Sequence, residues 1–305
     1  MNGGVAGAPV SFGVFELTPE GAETVSPDAM GEALQATGYR GIDLGPIGFL
    51  GRGRRLRSRL ARFELELAGG WVQLPFTDDD AFDAALTDLA DALRVFAEAA
   101  EAGPERMPLP TLADAGSAAR SAAPGRGAEA DPLAPDAADR LYRNIERAAG
   151  IVRDAGFEPT FHHHAGTFVE SPEEVDAFLA HSDVGLTLDV GHLVLAGGDP
   201  LEAVRRWGAR INHLHLKDVD RTRVVEILAA GGGMAEVWSG GAFVAFGRGG
   251  ADLPGLMDLV AATGFDGWVV VEQDVLNGPE VAIDRFLQER TADQRVNRDA
   301  LRSWL

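Results

Sequence analysis

PTFHHHAGT (159–167), LTLDVGH (186–192) and INHLHLKD (211–218) are three short apolar runs, each leading into His, Asp or Lys. Segments of helix length separate them. Short apolar strands that alternate with helices form a parallel sheet, and a closed parallel barrel gathers the C-terminal ends of its strands at one mouth. Five of the seven histidines lie in the first and third runs, His192 closes the second, and only His181 falls outside.

Working outward, the alternation continues in both directions. WVVVEQD (268–274) reads as the eighth strand. Towards the N-terminus, strands are expected at 10–17, 41–46, 66–76 and 107–115, the last weakened by Pro108 and Pro110. Ser26-Pro27-Asp28 opens a helix that Gly38 ends. Residues 81–101 place Phe82, Leu86, Leu89, Leu93 and Phe96 on one helical stripe. Residues 54–63 carry five arginines and read as a basic, solvent-facing helix. Further helices are expected at 138–155, from Ser171-Pro172, after Asp199-Pro200, and over 222–230, 253–263 and most of 281–305. Residues 114–137 show no apolar period and read as a long flexible loop on the active face. Eight strand–helix units over 1–305 predict a single (β/α)8 TIM barrel domain. No glycine-rich nucleotide fingerprint opens a helix after the first strand, which counts against a nucleotide-binding open sheet.

Composition narrows the function. The chain is 46% hydrophobic, ample for a core, and its 47 acidic against 27 basic residues give a net charge of −20. Such a field disfavours nucleic acid and anionic membrane surfaces. With no cysteine, a metal must be held by His and carboxylates. The start of the sequence shows neither signal peptide nor membrane span, so the cytoplasm is the expected location.

His162 and His164 share a strand face, as do His213 and His215; Asp189 and His192 close the sixth strand, Lys217 and Asp218 follow the seventh, and Glu272 ends the eighth. Taken singly, each has a plain reading: a satisfied structural histidine, a turn aspartate, a surface Lys–Asp pair. Four consecutive strands ending in ligand-type groups point instead to a divalent-metal site. Mixed imidazole and carboxylate donors suit Mn²⁺, Co²⁺, Fe²⁺ or Zn²⁺, with Mg²⁺ less favoured.

The stretches 39–51, 67–76, 161–171, 188–192, 213–219 and 268–274 resemble the sugar phosphate isomerase/epimerase superfamily, the xylose isomerase-like barrels, and within it most of all the inosose dehydratases. The resemblance spans nearly the whole chain. It implies a metal set of Glu, Asp, His and Glu from strands five to eight. Asp189, His215 and Glu272 match the last three, His215 being preferred to His213 because Asp218 follows it by three. The first position departs from the pattern and carries His162, with Glu170 as an alternative carboxylate nearby.

The resemblance also implies a small sugar or polyol ketone as substrate, and either dehydration of an inosose-like keto-cyclitol or isomerisation or epimerisation. A proton must leave the carbon beside the carbonyl, and the charge that develops on the carbonyl oxygen needs a cation. His164 and Glu272 are candidates for the base, and His192 or Lys217 for the acid. Glu16, Gln73, Trp71 and His213 are candidates for substrate contacts, with Phe15 and Phe49 as further aromatics that serve equally well as core. A homo-oligomer is compatible with all of this. The rival readings are a DNA-repair endonuclease, which the charge opposes, and a catalytically silent barrel used as a binding subunit.

Overall fold

The computed structural model describes residues 3–15, 18, 23–277 and 280–305. Its main sheet is built from β1 (Gly4–Gly7), β2 (Gly41–Ile42), β3 (Glu66–Leu67), β4 (Gly69–Leu74), β5 (Leu109–Asp114), β6 (Thr160–His162), β7 (Gly185–Asp189), β8 (Ile211–Leu216) and, last in the chain, β11 (Trp268–Val271). A small hairpin-like pair, β9 (Asp218–Val219) and β10 (Phe243–Val244), stands apart from it. The nine strands run in the order β3-β2-β1-β11-β8-β7-β6-β5-β4, and every neighbouring pair is parallel. The two end strands are consecutive pieces of one path, joined by Ala68. Ala68 donates its N–H to Ile42 O (2.9 Å) and accepts from Leu109 N (3.1 Å), so the ring closes as a (β/α)8 barrel.

What fills the barrel explains its glycines. Trp268 lies in the interior with Ala6, Ala8, Ala68 and Val270. A Cβ on Gly4 would meet the indole at 2.2 Å and one on Gly41 at 2.7 Å. One large ring therefore takes the space that several medium side chains would fill, and its neighbours are small. The two-residue period then carries each strand from apolar floor to polar mouth: Trp268, Val270 and Glu272 share a face, as do His213, His215 and Lys217. Midway, the hydroxyls of Thr160 and Thr187 meet at 2.7 Å.

The first strand is Gly4–Gly7; of the expected stretch 10–17, residues 10–15 form no strand and 16 and 17 lie outside the described residues. Pro9 opens a 3-10 turn over Pro9–Phe12, and Gly13 ends it in the left-handed region (φ 71°). Residues 114–137 contain two one-turn helices, Ala118–Ser121 and Gly127–Ala130, between which the chain packs by polar ties. Arg120 in this segment is fully buried, bonded to Thr167 O and Glu174 Oε1, both at 2.8 Å. The expected helix at 27–37 is present, with the Ser26 side chain accepting from Ala29 N and Gly38 at φ 85°. In the arginine-rich helix Gly53–Arg62, Arg57, Arg59 and Arg62 pair with Glu101, Asp28 and Glu32 on flanking segments, so part of its charge is answered within the chain. Among the described residues, no helix is long and apolar enough to cross a membrane.

Between β8 and β11 the chain builds a lobe on the rim. The β9–β10 pair, helix Arg221–Ala229 and helix Met234–Ser239 enclose a small apolar cluster that includes Val219, Ile227, Met234, Val237 and Phe243.

Candidate active site

His162, Asp189, His215 and Glu272 arrive at the mouth from β6, β7, β8 and the residue after β11. Each offers one ligand-type atom, these atoms lie within 4.8 Å of one another, and all four residues are buried. His162 Nε2 is 3.3 Å and His215 Nδ1 3.6 Å from Asp189 Oδ2, and His215 Nδ1 is 2.9 Å from Glu272 Oε2. His162 Nδ1 and His215 Nε2 have no hydrogen-bond partner, while Asp189 Oδ2 and His215 Nδ1 meet only other members of the cluster and Lys217. Buried donors and acceptors left in this condition are costly unless a ligand satisfies them. Two imidazoles and two carboxylates facing one point are a donor set suited to a divalent transition metal.

Neighbouring groups hold this cluster in place. Asp189 Oδ1 accepts from His192 N (2.9 Å) and so caps the helix Val190–Leu195, which leaves Oδ2 to face the cluster. Its backbone N–H donates to His163 Nε2 (3.2 Å). His163 thus faces away from the mouth, as strand alternation demands, and burial lowers its pKa to about 3, keeping the ring neutral. Glu170, the alternative first ligand, is engaged elsewhere: its carboxylate accepts from Gly125 N (3.2 Å), Gly127 N (2.6 Å) and Gly166 N (2.7 Å). Asp218 is no surface partner of Lys217. It is buried and accepts from the backbone N–H groups of Val219, Gly247, Gly249 and Ala251 at 2.9–3.0 Å, tying the glycine-rich loop to the strand end.

Beside the cluster sits Lys217. Its Nζ is 2.9 Å from Asp189 Oδ2 and 3.0 Å from both Glu272 Oε2 and Asp274 Oδ2. Burial opposes the ammonium charge, but the three carboxylates outweigh it and raise the pKa well above the ordinary lysine value. The same contest sets His215: burial lowers its pKa, Glu272 and Asp189 raise it, and the net value is about 10. For Asp189, burial raises the pKa, yet Lys217 and His192 draw it well below the carboxylate range.

A cavity of about 290 Å³ opens over these groups, with Trp71, Gln73, His164, Lys217, Trp238 and Glu272 in its wall. His164 Nδ1 lies 2.7 Å from Ala165 O and donates to it, which leaves Nε2 with a lone pair. Burial and the adjacent His192 hold its pKa well below the histidine value. His192 packs on His164 with ring centroids 3.6 Å apart, and its Nε2 is 3.3 Å from Asp274 Oδ2; the ring is fully buried behind the wall. His213 is fully buried one layer below His215 (centroids 5.1 Å) and does not line the cavity. Phe15 lines the cavity, whereas Phe49 packs on the main core. Glu16 lies outside the described residues.

Three wall residues escape a reading of the sequence. Asp43 follows β2 and is buried, and burial pushes its carboxyl up to about 7; Asp114 ends β5 and is pushed up to about 6 by the same cause. Both sit at strand ends on the inward face, the signal that marked Asp189 and Glu272. Trp238, within the glycine-rich stretch, has no such signal.

Residues 31–289 match the family model described as xylose isomerase-like TIM barrel. The inosose dehydratase of Lacticaseibacillus casei is 34% identical over 139 residues, covering 45% of this chain and 47% of that one. The aligned part thus spans about half the length of that relative. The rhizopine catabolism protein MocC of Rhizobium meliloti is 31% identical over 283 residues, 87% of this chain and 80% of MocC. Among solved structures, the IOLI protein with a bound zinc atom superposes with a TM-score of 0.65 at 14% identity, covering 99% of both chains. That likeness is one of fold.

Proposed function

The chain belongs to the xylose isomerase-like TIM barrel family, and from that premise we propose that it is a divalent-metal-dependent hydro-lyase that removes water from a neutral, inosose-like keto-cyclitol. One observation carries the reading: two histidines and two carboxylates converge within 4.8 Å, beside a histidine whose free Nε2 serves a cavity. Relatives named inosose dehydratase support the reaction class, and the zinc in the IOLI structure supports a metal in such a barrel.

His162, Asp189, His215 and Glu272 would hold the ion. Bound there, the cation supplies Lewis-acid stabilisation of the negative charge that develops on a ketone oxygen. The protein's own groups do the rest. His164 takes the proton from the carbon beside the carbonyl at Nε2, because its Nδ1–H is committed to Ala165 O and its low pKa keeps it neutral. Glu272, the other candidate base, is drawn into the cluster by His215. Lys217 lines the cavity as an ammonium ion and donates a proton from Nζ to the departing β-hydroxyl. The C–H and C–O bonds break, a C=C bond forms, and water leaves. Asp274 keeps Lys217 in position and also steadies His192, which packs against His164.

An epimerase needs a second base on the far side of the substrate. Glu272 and Asp274 each lie 3.0 Å from Lys217 Nζ, while Asp43 and Asp114 also line the cavity, so the choice between dehydration and epimerisation rests on the assay below. A neutral substrate follows from charge. Among the described residues, no arginine lines the cavity, and its two cationic side chains, His215 and Lys217, are both spent on Glu272 at 2.9 and 3.0 Å. A phosphorylated sugar would find no guanidinium to receive it.

The test is to incubate the metal-loaded protein with 2-keto-myo-inositol in D₂O and follow absorbance of the conjugated product. Water loss supports the reading. Deuterium incorporation with no water loss would overturn it in favour of an epimerase.

A further inference from the structure

The proton transfers leave part of the cavity unused: its aromatic rim. Helix Met234–Ser239 of the rim lobe carries Trp238, which is partly exposed in the cavity wall. Phe15 meets it edge to face, with ring centroids 5.7 Å apart at 76°. Trp71 and Trp238 both flank His164, at 5.2 and 6.3 Å between ring centroids. A carbon that gives its proton to His164 Nε2 therefore sits in a cavity whose wall both indoles help to form. Trp238 is also held firmly. Its carbonyl accepts from Leu276 N (3.2 Å), Glu236 fastens the start of its helix by accepting from Gly233 N (2.7 Å), and Met234 and Val237 bury its inner side.

We propose that Trp238 is a specificity-determining residue that, with Trp71, selects six-membered ring ketones over open-chain ketoses. This rests on the reading of the site as one for polyol ketones. A ring polyol carries its hydroxyls around the edge and presents C–H bonds on its faces, and an indole is a broad, rigid apolar surface for such a face. An open-chain ketose offers no continuous face and must freeze several torsions to bind. The polar edge of the ring would be met by Gln73, Lys217 and the charged floor, which divides the cavity into an aromatic wall and a charged base. The lobe that supplies Trp238 has its own apolar cluster, so its selectivity is separable from the barrel that carries the chemistry.

The experiment is calorimetric binding of 2-keto-myo-inositol and of ribulose, an open-chain ketose, to manganese-loaded wild type, Trp238→Ala and Trp238→Phe. The expected result is tighter binding of the ring ketone by wild type, a Kd about tenfold weaker for Trp238→Ala (roughly 1.4 kcal/mol), and ribulose binding changed less than about twofold. Trp238→Phe, which keeps an aromatic face, should retain most of the preference, and circular dichroism checks that both variants fold. Equal losses for both ketones, no loss for either, or a wild type that binds neither would overturn the inference. A wild type that shows the binding preference but releases no water from the ring ketone would overturn the dehydration reading and leave the specificity assignment standing.

Discussion

Replacing Glu170 by Ala separates the two candidates for the first metal position. Its carboxylate accepts from Gly125, Gly127 and Gly166 at 3.2, 2.6 and 2.7 Å, joining the segment after β5 to the segment after β6. A hydrogen bond to a charged group contributes about 1.5–3 kcal/mol, and here two are short and one is long. Water reaches some of the freed N–H groups, so the expected loss is about 3–4 kcal/mol of unfolding free energy. Glu170→Gln keeps one acceptor oxygen but turns an NH₂ group towards a backbone N–H, and should lose roughly half as much. Both variants should keep the metal affinity of wild type within about threefold, since no atom of Glu170 belongs to the cluster of His162, Asp189, His215 and Glu272. His162→Ala should do the reverse, weakening the metal by about a hundredfold or more with a smaller effect on folding. Urea denaturation gives the first quantity and competition with a chelating dye the second. If Glu170→Ala folds yet loses as much metal affinity as His162→Ala, the ligand assignment is wrong.

Three further predictions follow from the same geometry. Burial raises the Asp43 carboxyl to about 7, so the folded chain holds that proton more tightly than the unfolded chain, and stability from this group falls as pH rises from about 4 to about 7. Asp43→Asn should therefore stabilise the chelated protein at pH 8, by at most roughly 4 kcal/mol, and leave it near wild type at pH 4; equal shifts in Tm at both pH values would contradict this. His164→Gln should lower kcat by about 10²- to 10⁴-fold, and in wild type the acid limb of kcat/KM should fall below the ordinary histidine value of about 6.5, because burial and His192 keep His164 unprotonated. An acid limb at or above that value would remove His164 from the base role. Gly4→Ala should cost about 3 kcal/mol in urea denaturation, since its Cβ would lie 2.2 Å from the Trp268 ring; an unchanged midpoint would mean that the indole does not plug the barrel.

The cluster at the mouth was readable in the sequence because strand alternation and strand-end position are local properties. His162, Asp189, His215 and Glu272 each follow an apolar run, and each faces inward by its parity. The first strand was not readable, because the glycine-rich start looks like a loop until Trp268, from the far end of the chain, is seen to need the space at Gly4. The 114–137 segment looked unpatterned because polar contacts of Arg120 and Glu170 hold it, and these leave no periodic apolar trace. Asp218 and Glu170 resemble ligands in composition, yet each spends its carboxylate on backbone N–H groups, a choice made by loop geometry. Trp238 entered the wall only through the fold of the rim lobe.

The central claim is that side chains from four strands hold one divalent ion at the mouth of the barrel. An anomalous-scattering map of zinc-soaked crystals tests it most directly. The account predicts one peak about 2.1 Å from donor atoms of His162, Asp189, His215 and Glu272. A peak elsewhere, or none, with those four side chains ordered, would contradict it.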